Sequence, residues 1–386
     1  MRIREVPWTP LGGVYDQGDI DTVMELLRGQ VERSAGFFRL PEEPTFERAF
    51  AEHEGAKYGS AVNSCGTGLD LAMRVLGVGP GDEVITTPLT FVSTAHCIVG
   101  TGATLVFADI DPRTYDLDPA SVEDKITPRT KAILPVHMNG MPADIDAFAE
   151  LSARTGIKIV YDAAHAVGTL YKGRKVGPAG DMSVFSFQSH KNMSTLGEGG
   201  MVTTDNPDYH ARLQRIKSFG FQYGKVDDVL EWGSNYRMNK LQSAVGMSQL
   251  RKVDETNRIR NTYARYISQQ LADVPEIIAP FDDGRHFCPY HLYLLRFNDE
   301  SMDATREEFL AILKGKYNVG VTFHYRPLWD FSFYRNMGYG PDETPVAATV
   351  LRQLFNVPVF PRMPMEDIEY VAWALRESVS DLRLKA

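Results

Sequence analysis

The stretch FSFQSHKNMSTLGEGGMV, Phe185–Val202, decides how this chain reads. It opens as an apolar strand and passes through a polar loop holding one lysine, Lys191. It then returns through an acidic glycine turn into a second apolar strand. A loop lysine is ordinarily solvated. One that follows Ser186 and His190 between two buried strands can instead be desolvated, which lowers its pKa and suits it to Schiff-base chemistry. The strands are predicted at Met182–Phe187 and Gly200–Thr204.

Upstream, VYDAAHA (Val160–Ala166) places Asp162 at the end of a strongly apolar strand, twenty-nine residues before Lys191. Ligands of open α/β sheets bind at the carboxyl ends of strands, and a carboxylate there can hold a positively charged ring nitrogen. Taken alone, Asp162 reads better as a helix cap. NSCGTGLDLAM (Asn63–Met73) runs strand, glycines, helix. Gly66 and Gly68 let backbone amides approach an anion at the helix N-terminus, although a plain glycine-rich helix start fits the same residues. GVGPGDEV (Gly77–Val84) superficially suggests a dinucleotide loop, but it follows a helix and leads into a strand, the reverse of the fingerprint. That disfavours a nicotinamide-dependent oxidoreductase. Cradle, carboxylate and lysine together are the set that pyridoxal phosphate requires.

The surrounding pattern alternates strands and helices. Strands are expected at Tyr58–Asn63, Glu83–Thr87, Thr104–Ala108, Ala132–Val136 and Lys158–Tyr161. Helices are expected at Glu43–His53, Leu69–Leu76, from Phe91, and at Ile145–Ala153. Such alternation indicates crossover units and a mostly parallel sheet. A long helix from Asn239 to about Gln270 carries Leu241, Val245, Met247 and Leu250 on an apolar stripe. Beyond it, strands are expected at His291–Phe297 and Val319–Thr322, and a last helix at Ile368–Ser378. The α/β chain is thus divided into a large domain, residues 1–250 with an N-terminal arm, and a smaller C-terminal domain, residues 251–386.

Composition sets outer limits. The 386 residues fit two or three domains at ~150 residues each. With 43% hydrophobic and 24% charged residues the chain is an ordinary globular protein. Its net charge of −9 argues against a nucleic-acid partner. No run reaches the ~18 apolar residues of a membrane span, and the first residues lack a secretory apolar stretch. Cys65, Cys97 and Cys288 are too scattered for a disulfide framework or a metal pair. A cytoplasmic, metal-free protein is expected.

The motifs resemble, in order and along roughly Phe46–Ala374, the sugar and cyclitol aminotransferases of the DegT/StrS family. They include CGTGLDLA, GPGDEVITTPLTFVSTA, TPRTKAILPVH, DAAHA, FSFQSHKN, GEGGMVTTD, GSNYRMNKLQSAVG, HLYLLRF and FHYRPL. The resemblance implies a fold type I, pyridoxal-phosphate-dependent transferase: a large domain with a mostly parallel central sheet flanked by helices, plus the smaller C-terminal α/β domain. Lys191 matches the internal-aldimine lysine and Asp162 the acid on the pyridine nitrogen. His165 matches the residue near the 3-oxygen and Phe91 the aromatic residue on the ring. Gly66, Thr67 and Ser186 match phosphate contacts. Asn235 matches an Asn that reaches the cofactor of the neighbouring subunit, which implies a homodimer with shared active sites.

The implied reaction is ping-pong amino transfer from glutamate or glutamine to a keto sugar, free or nucleotide-linked, or to a keto cyclitol. Two features depart from the family pattern. Leu196 adds a residue between Thr195 and Gly197, and His190 directly precedes the lysine. Relatives with His in place of the lysine are dehydratases, and a dehydratase or lyase acting on a keto-sugar or aminoaromatic precursor is the alternative. Because the position counted from FSF is Lys, transamination is favoured. Tyr236, Arg237, His324, Tyr325 and His137 are weaker candidates for the cleft, each of which also fits a packing role.

Overall fold

The computed structural model describes residues 1–9, 12–33, 41–222 and 228–384. Its strands are β1 (Tyr58–Val62), β2 (Glu83–Thr86), β3 (Thr104–Phe107), β4 (Thr130–Leu134), β5 (Lys158–Asp162), β6 (Leu170–Tyr171), β7 (Arg174–Lys175), β8 (Met182–Ser186) and β9 (Gly200–Thr204). Three more follow: β10 (Ile277–Ile278), β11 (Leu294–Phe297) and β12 (Leu354–Asn356). The helices that position the site or the cores are α1 (Gln17–Arg33), α2 (Glu42–His53), α3 (Cys65–Val75), α4 (Val92–Val99), α5 (Lys240–Gln270), α6 (Arg306–Gly315), α7 (Pro345–Gln353) and α8 (Met365–Arg383).

Seven strands form the large sheet in the order β1-β9-β8-β5-β4-β2-β3. The run from β3 to β8 is parallel, and only β9 turns back, antiparallel to both β8 and β1. β1 therefore points the same way as β5 and β8. The ends of β1, β5 and β8, with the start of β9, meet at one edge of the sheet. There they place Ser64, Asp162, Ser186 and Gly200 side by side. The strands are buried on both faces, as parallel strands covered by helices must be. Gly200 is required where it stands: a Cβ would lie 2.7 Å from the Cys65 amide nitrogen, so only glycine lets α3 start this close to β9.

Helix α5 has 31 residues and is capped by Asn239, whose side chain forms a capping box with Gln242. Val253, on its first half, packs with Phe46, Phe50 and Phe187. Ala264 and Ile267, on its second half, pack with Phe297, Phe309, Phe355 and Leu375 around the antiparallel sheet β10-β11-β12. At the outer edge of the large sheet, fully buried Lys217 pairs with Glu43 and Glu47 and donates to the Ala61 carbonyl, which fastens α2 to β1.

One expected strand does not form. Val319–Thr322 bridges Val6 at one end and Asn356 at the other, so it has no single neighbour with which to build a ladder. The third strand of the small sheet is β12 instead, which follows α7 without an intervening turn. The strand expected from His291 begins at Leu294.

Candidate active site

A cavity of about 430 Å³ opens at the sheet edge where these strand ends meet. Gly66, Phe91, Asp162, His165, Ser186 and Lys191 all line it. Helix α3 starts at its wall. Ser64 caps the helix by accepting from the Thr67 amide at 3.2 Å. The amides of Cys65 and Gly66 have no carbonyl four residues earlier within the helix to bind, which makes this end a natural anion cradle. Phe91 is 56% exposed, a large ring left uncovered at the mouth.

Asp162 ends β5 and is buried. Thr94 Oγ1 donates to its Oδ2 at 2.8 Å, and the Ala164 amide donates to Oδ1 at 3.0 Å. Burial raises its pKa above the usual carboxylate value, while these two donors and Lys191 pull the other way. Burial also brings the Lys191 amine down to about 8, against the opposing pull of Asp162 and Cys65. The lysine is thereby poised between its charged and uncharged forms near neutral pH.

Aromatic and imidazole rings form the remaining wall. His165 Nε2 and the Tyr325 hydroxyl are 3.0 Å apart, and the His165 ring lies 4.4 Å from that of His291. His165 Nδ1 is buried and has no hydrogen-bond partner. His324 also lines the cavity, with burial lowering its pKa to about 4.

Other predicted residues lie outside this lining. Thr67 Oγ1 turns back to donate to Asn63 Oδ1 at 2.6 Å and to the Ser64 carbonyl at 2.9 Å. Asn235 is exposed, and its carbonyl accepts from Asn63 Nδ2 at 3.4 Å. The Arg237 guanidinium lies over the Phe219 ring, and Tyr236 packs against the core. His137 does not face the cleft: it is fully buried, stacked 4.8 Å from the Tyr161 ring, with its Nδ1 accepting from the Ala143 amide.

Sequence reading missed Thr94, His291 and Asn192. Thr94 stands three residues after Phe91, in the first turn of α4, a spacing that puts both near one end of the helix. His291 opens the HLYLLRF motif, and Asn192 follows the lysine. The assembled residues suit pyridoxal phosphate in their chemistry: a half-buried amine with a lowered pKa, a carboxylate held by two donors, free helix-end amides, an uncovered aromatic ring, and an unpartnered imidazole nitrogen.

Known proteins bear on this arrangement. The chain is 40% identical over 352 residues to the spore coat polysaccharide biosynthesis protein SpsC of Bacillus subtilis, covering 88% of this chain and 90% of that protein. It superposes on DesV of S. venezuelae, solved in complex with a ketimine intermediate, with a TM-score of 0.87 and 32% identity over 94% of each chain. The sugar aminotransferase Spr1654 of Streptococcus pneumoniae, described as putative and solved in its PMP form, matches with a TM-score of 0.88 and 25% identity. That match covers 99% of this chain and all of the other.

Fold, site and relatives together define a pyridoxal-phosphate-dependent aminotransferase. Residues 17–376 match the DegT/DnrJ/EryC1/StrS aminotransferase family, and the chain belongs to it.

Proposed function

We propose that this aminotransferase moves an amino group from glutamate or glutamine to a keto sugar, free or nucleotide-linked, or to a keto cyclitol, in a ping-pong sequence. The observation that carries the reading is Lys191, a half-buried amine brought down to about 8 on the wall of a cavity that also holds a buried carboxylate. Identity with a polysaccharide biosynthesis protein and structural likeness to a sugar aminotransferase support a sugar acceptor.

Each residue has a role in this scheme. Lys191 would bear the cofactor, and its free amine would take the proton from the donor's α-carbon and return it, as general base and acid. Asp162 keeps positive charge on the ring nitrogen, and Thr94 and the Ala164 amide keep Asp162 in place. Gly66 and Ser186 would hold the phosphate at the start of α3, with Thr67 beside them and its hydroxyl turned to Asn63. Phe91 would lie against the ring, and His165 would serve the 3-oxygen. When bound, pyridoxal phosphate supplies the electron sink that stabilises negative charge on the donor carbon.

The scheme includes a homodimer in which Asn235 serves the neighbouring subunit's site. It includes a division into domains 1–250 and 251–386, with α5 running from one core to the other. It places the enzyme in the cytoplasm, where three unpaired thiols stay reduced.

The test is direct. Purified protein loaded with pyridoxal phosphate is reduced with borohydride, and peptide mass places the adduct on Lys191. Glutamate or glutamine is expected to convert the absorbance of the unreduced enzyme to that of the amine form, which keto sugars then reverse. An absorbance that no amino-acid donor changes would sink the proposal.

A further inference from the structure

The N-terminal arm lies across the loop that carries Lys191. The Tyr15 hydroxyl accepts from the Leu196 amide at 3.1 Å and donates to Ser194 Oγ at 3.0 Å, so one side chain ties two backbone turns of that loop. The Gly12 amide donates to the Ser189 carbonyl at 3.3 Å. A Cβ on Gly12 would lie 2.0 Å from the Lys191 carbonyl oxygen, so the arm touches the lysine's own peptide, and only glycine allows it.

Leu196 stands between Thr195 and Gly197 in this loop. It adopts φ 62°, a left-handed conformation that a leucine rarely takes. Its side chain is left in solvent at 46% exposure, so packing does not hold it there. Its amide donates a hydrogen bond to Tyr15, beside the Ser189–Gly197 and Thr195–Phe187 backbone bonds that fix the flanking residues.

The arm is itself anchored from beneath. Arg260, on α5, is 1% exposed and pairs with no carboxylate among the described residues. Its guanidinium donates instead to the carbonyls of Gly12 and Val359. A buried cation without a counter-ion is costly unless its N–H groups are used; here two distant segments supply acceptors for both Nη atoms, while Nε has none. Lifting the arm would strip Arg260 of one of them. Gln249 donates to the Val14 carbonyl at 3.0 Å, and Lys252 pairs with Asp19 at 2.6 Å, continuing the attachment along α5.

We propose that Gly12 and Tyr15 are positioning residues for Lys191: anchored by Arg260, they strap the loop Ser189–Leu196 and hold the lysine in its desolvated place. This rests on Lys191 as the cofactor-bearing residue. The strap gives the conformation of the arm a direct route to the amine's protonation.

The test uses the full-length, cofactor-free protein as wild type, Tyr15→Phe and Gly12→Ala. Deuterium exchange is followed for the peptide spanning 189–196 and, as a control, for strand β8. The ionisation midpoint of Lys191 is read by competitive acetylation. Tyr15→Phe is expected to speed exchange in the loop about tenfold, the loss of roughly one hydrogen bond, with β8 unchanged. In both variants the Lys191 midpoint is expected to move from about 8 toward 10.5 as water reaches the amine.

Unchanged loop exchange and an unchanged midpoint in both variants overturn the strap. So does exchange that rises equally in β8 and the loop, since the contacts then hold the fold rather than the lysine. Borohydride fixation of pyridoxal phosphate on wild-type Lys191 is scored separately. Its failure removes the lysine's assigned role, whatever the loop does.

Discussion

Nδ1 of His291 lies 3.2 Å from Oδ1 of Asn192, and the bonds beyond that contact decide where the imidazole proton sits. Asn257 Nδ2 donates to the Val167 carbonyl at 2.8 Å, so its oxygen faces Asn192, whose Nδ2 donates to it at 3.0 Å. Asn192 has only its own oxygen left for His291, and Nδ1 of His291 is therefore the donor. The lone pair rests on Nε2. Burial, with the charges of Lys191 and neighbouring basic groups, holds the ring's pKa well below 6.5.

The expected result is a neutral imidazole protonated on Nδ1 at every pH from 6.5 upward. Long-range proton–nitrogen correlation spectra of histidine-labelled protein read this directly. Asn257→Leu frees the Asn192 amide to turn, and mixed tautomers are expected at His291. A spectrum that does not respond to Asn257→Leu would refute the relay.

Lys191 makes the cofactor-free fold pay for its chemistry, with a sign that pH exposes. Its pKa falls from 10.5 in the unfolded chain to about 8 in the folded one, so between those values the unfolded chain binds more protons. Stability from this group is therefore present above 10.5 and is lost as pH falls through about 8, a difference of about 3 kcal/mol. Lys191→Met removes the amine and nearly keeps the volume. Without cofactor, the variant is expected to unfold at higher urea than wild type at neutral pH, with the gap closing as pH rises from about 8 to 10.5. A gap that ignores pH would show that burial of the amine is not its source.

Which parts of this molecule are legible in the sequence follows from how local their causes are. Strands β2, β5 and β8 are short apolar runs that can be placed from the chain alone, whereas Asp162 and Ser186 take on their roles only once the ordered motifs show the family resemblance. Thr94 and His291 stay hidden even so. Their functions arise from partners 68 and 99 residues away, and neither carries a local pattern that distinguishes it. The strap is hidden for the same reason: Tyr15 and Leu196 are 181 residues apart. The misplaced strand at Val319–Thr322 shows the converse, since β-favouring residues form no ladder when each end meets a different neighbour.

Thr94 tests how far Asp162 depends on its donors. Thr94→Val keeps the shape but removes the hydroxyl that bonds Asp162 Oδ2 at 2.8 Å. The carboxyl pKa, already raised by burial, rises further, so the ionised form is lost at a higher pH on the acid side. The donor half-reaction, followed by stopped-flow absorbance, is expected to slow about tenfold. Its acid limb is expected to move to higher pH, with Thr94→Ser restoring both. Asp162→Asn is expected to cost more, roughly a hundred- to a thousandfold. Equal rates for Thr94→Val and wild type across the pH range would mean that the Ala164 amide suffices.

Asn235 offers a test of the proposed dimer that does not depend on seeing the interface. It is exposed and outside its own chain's cavity, whereas Lys191 is inside it. If the proposed sharing holds, a Lys191→Ala chain can lend its intact Asn235 to the lysine-bearing site of an Asn235→Ala partner. Each variant alone is expected to be impaired at every site. Mixed in equal amounts and allowed to exchange subunits, half the dimers are heterodimers, and each has one site with both residues intact. Recovery of about a quarter of wild-type activity is therefore expected for a symmetric two-fold assembly. Sedimentation of the mixture at the mass of two chains accompanies it. No recovery after demonstrated exchange would place Asn235 in service of its own chain, or of none.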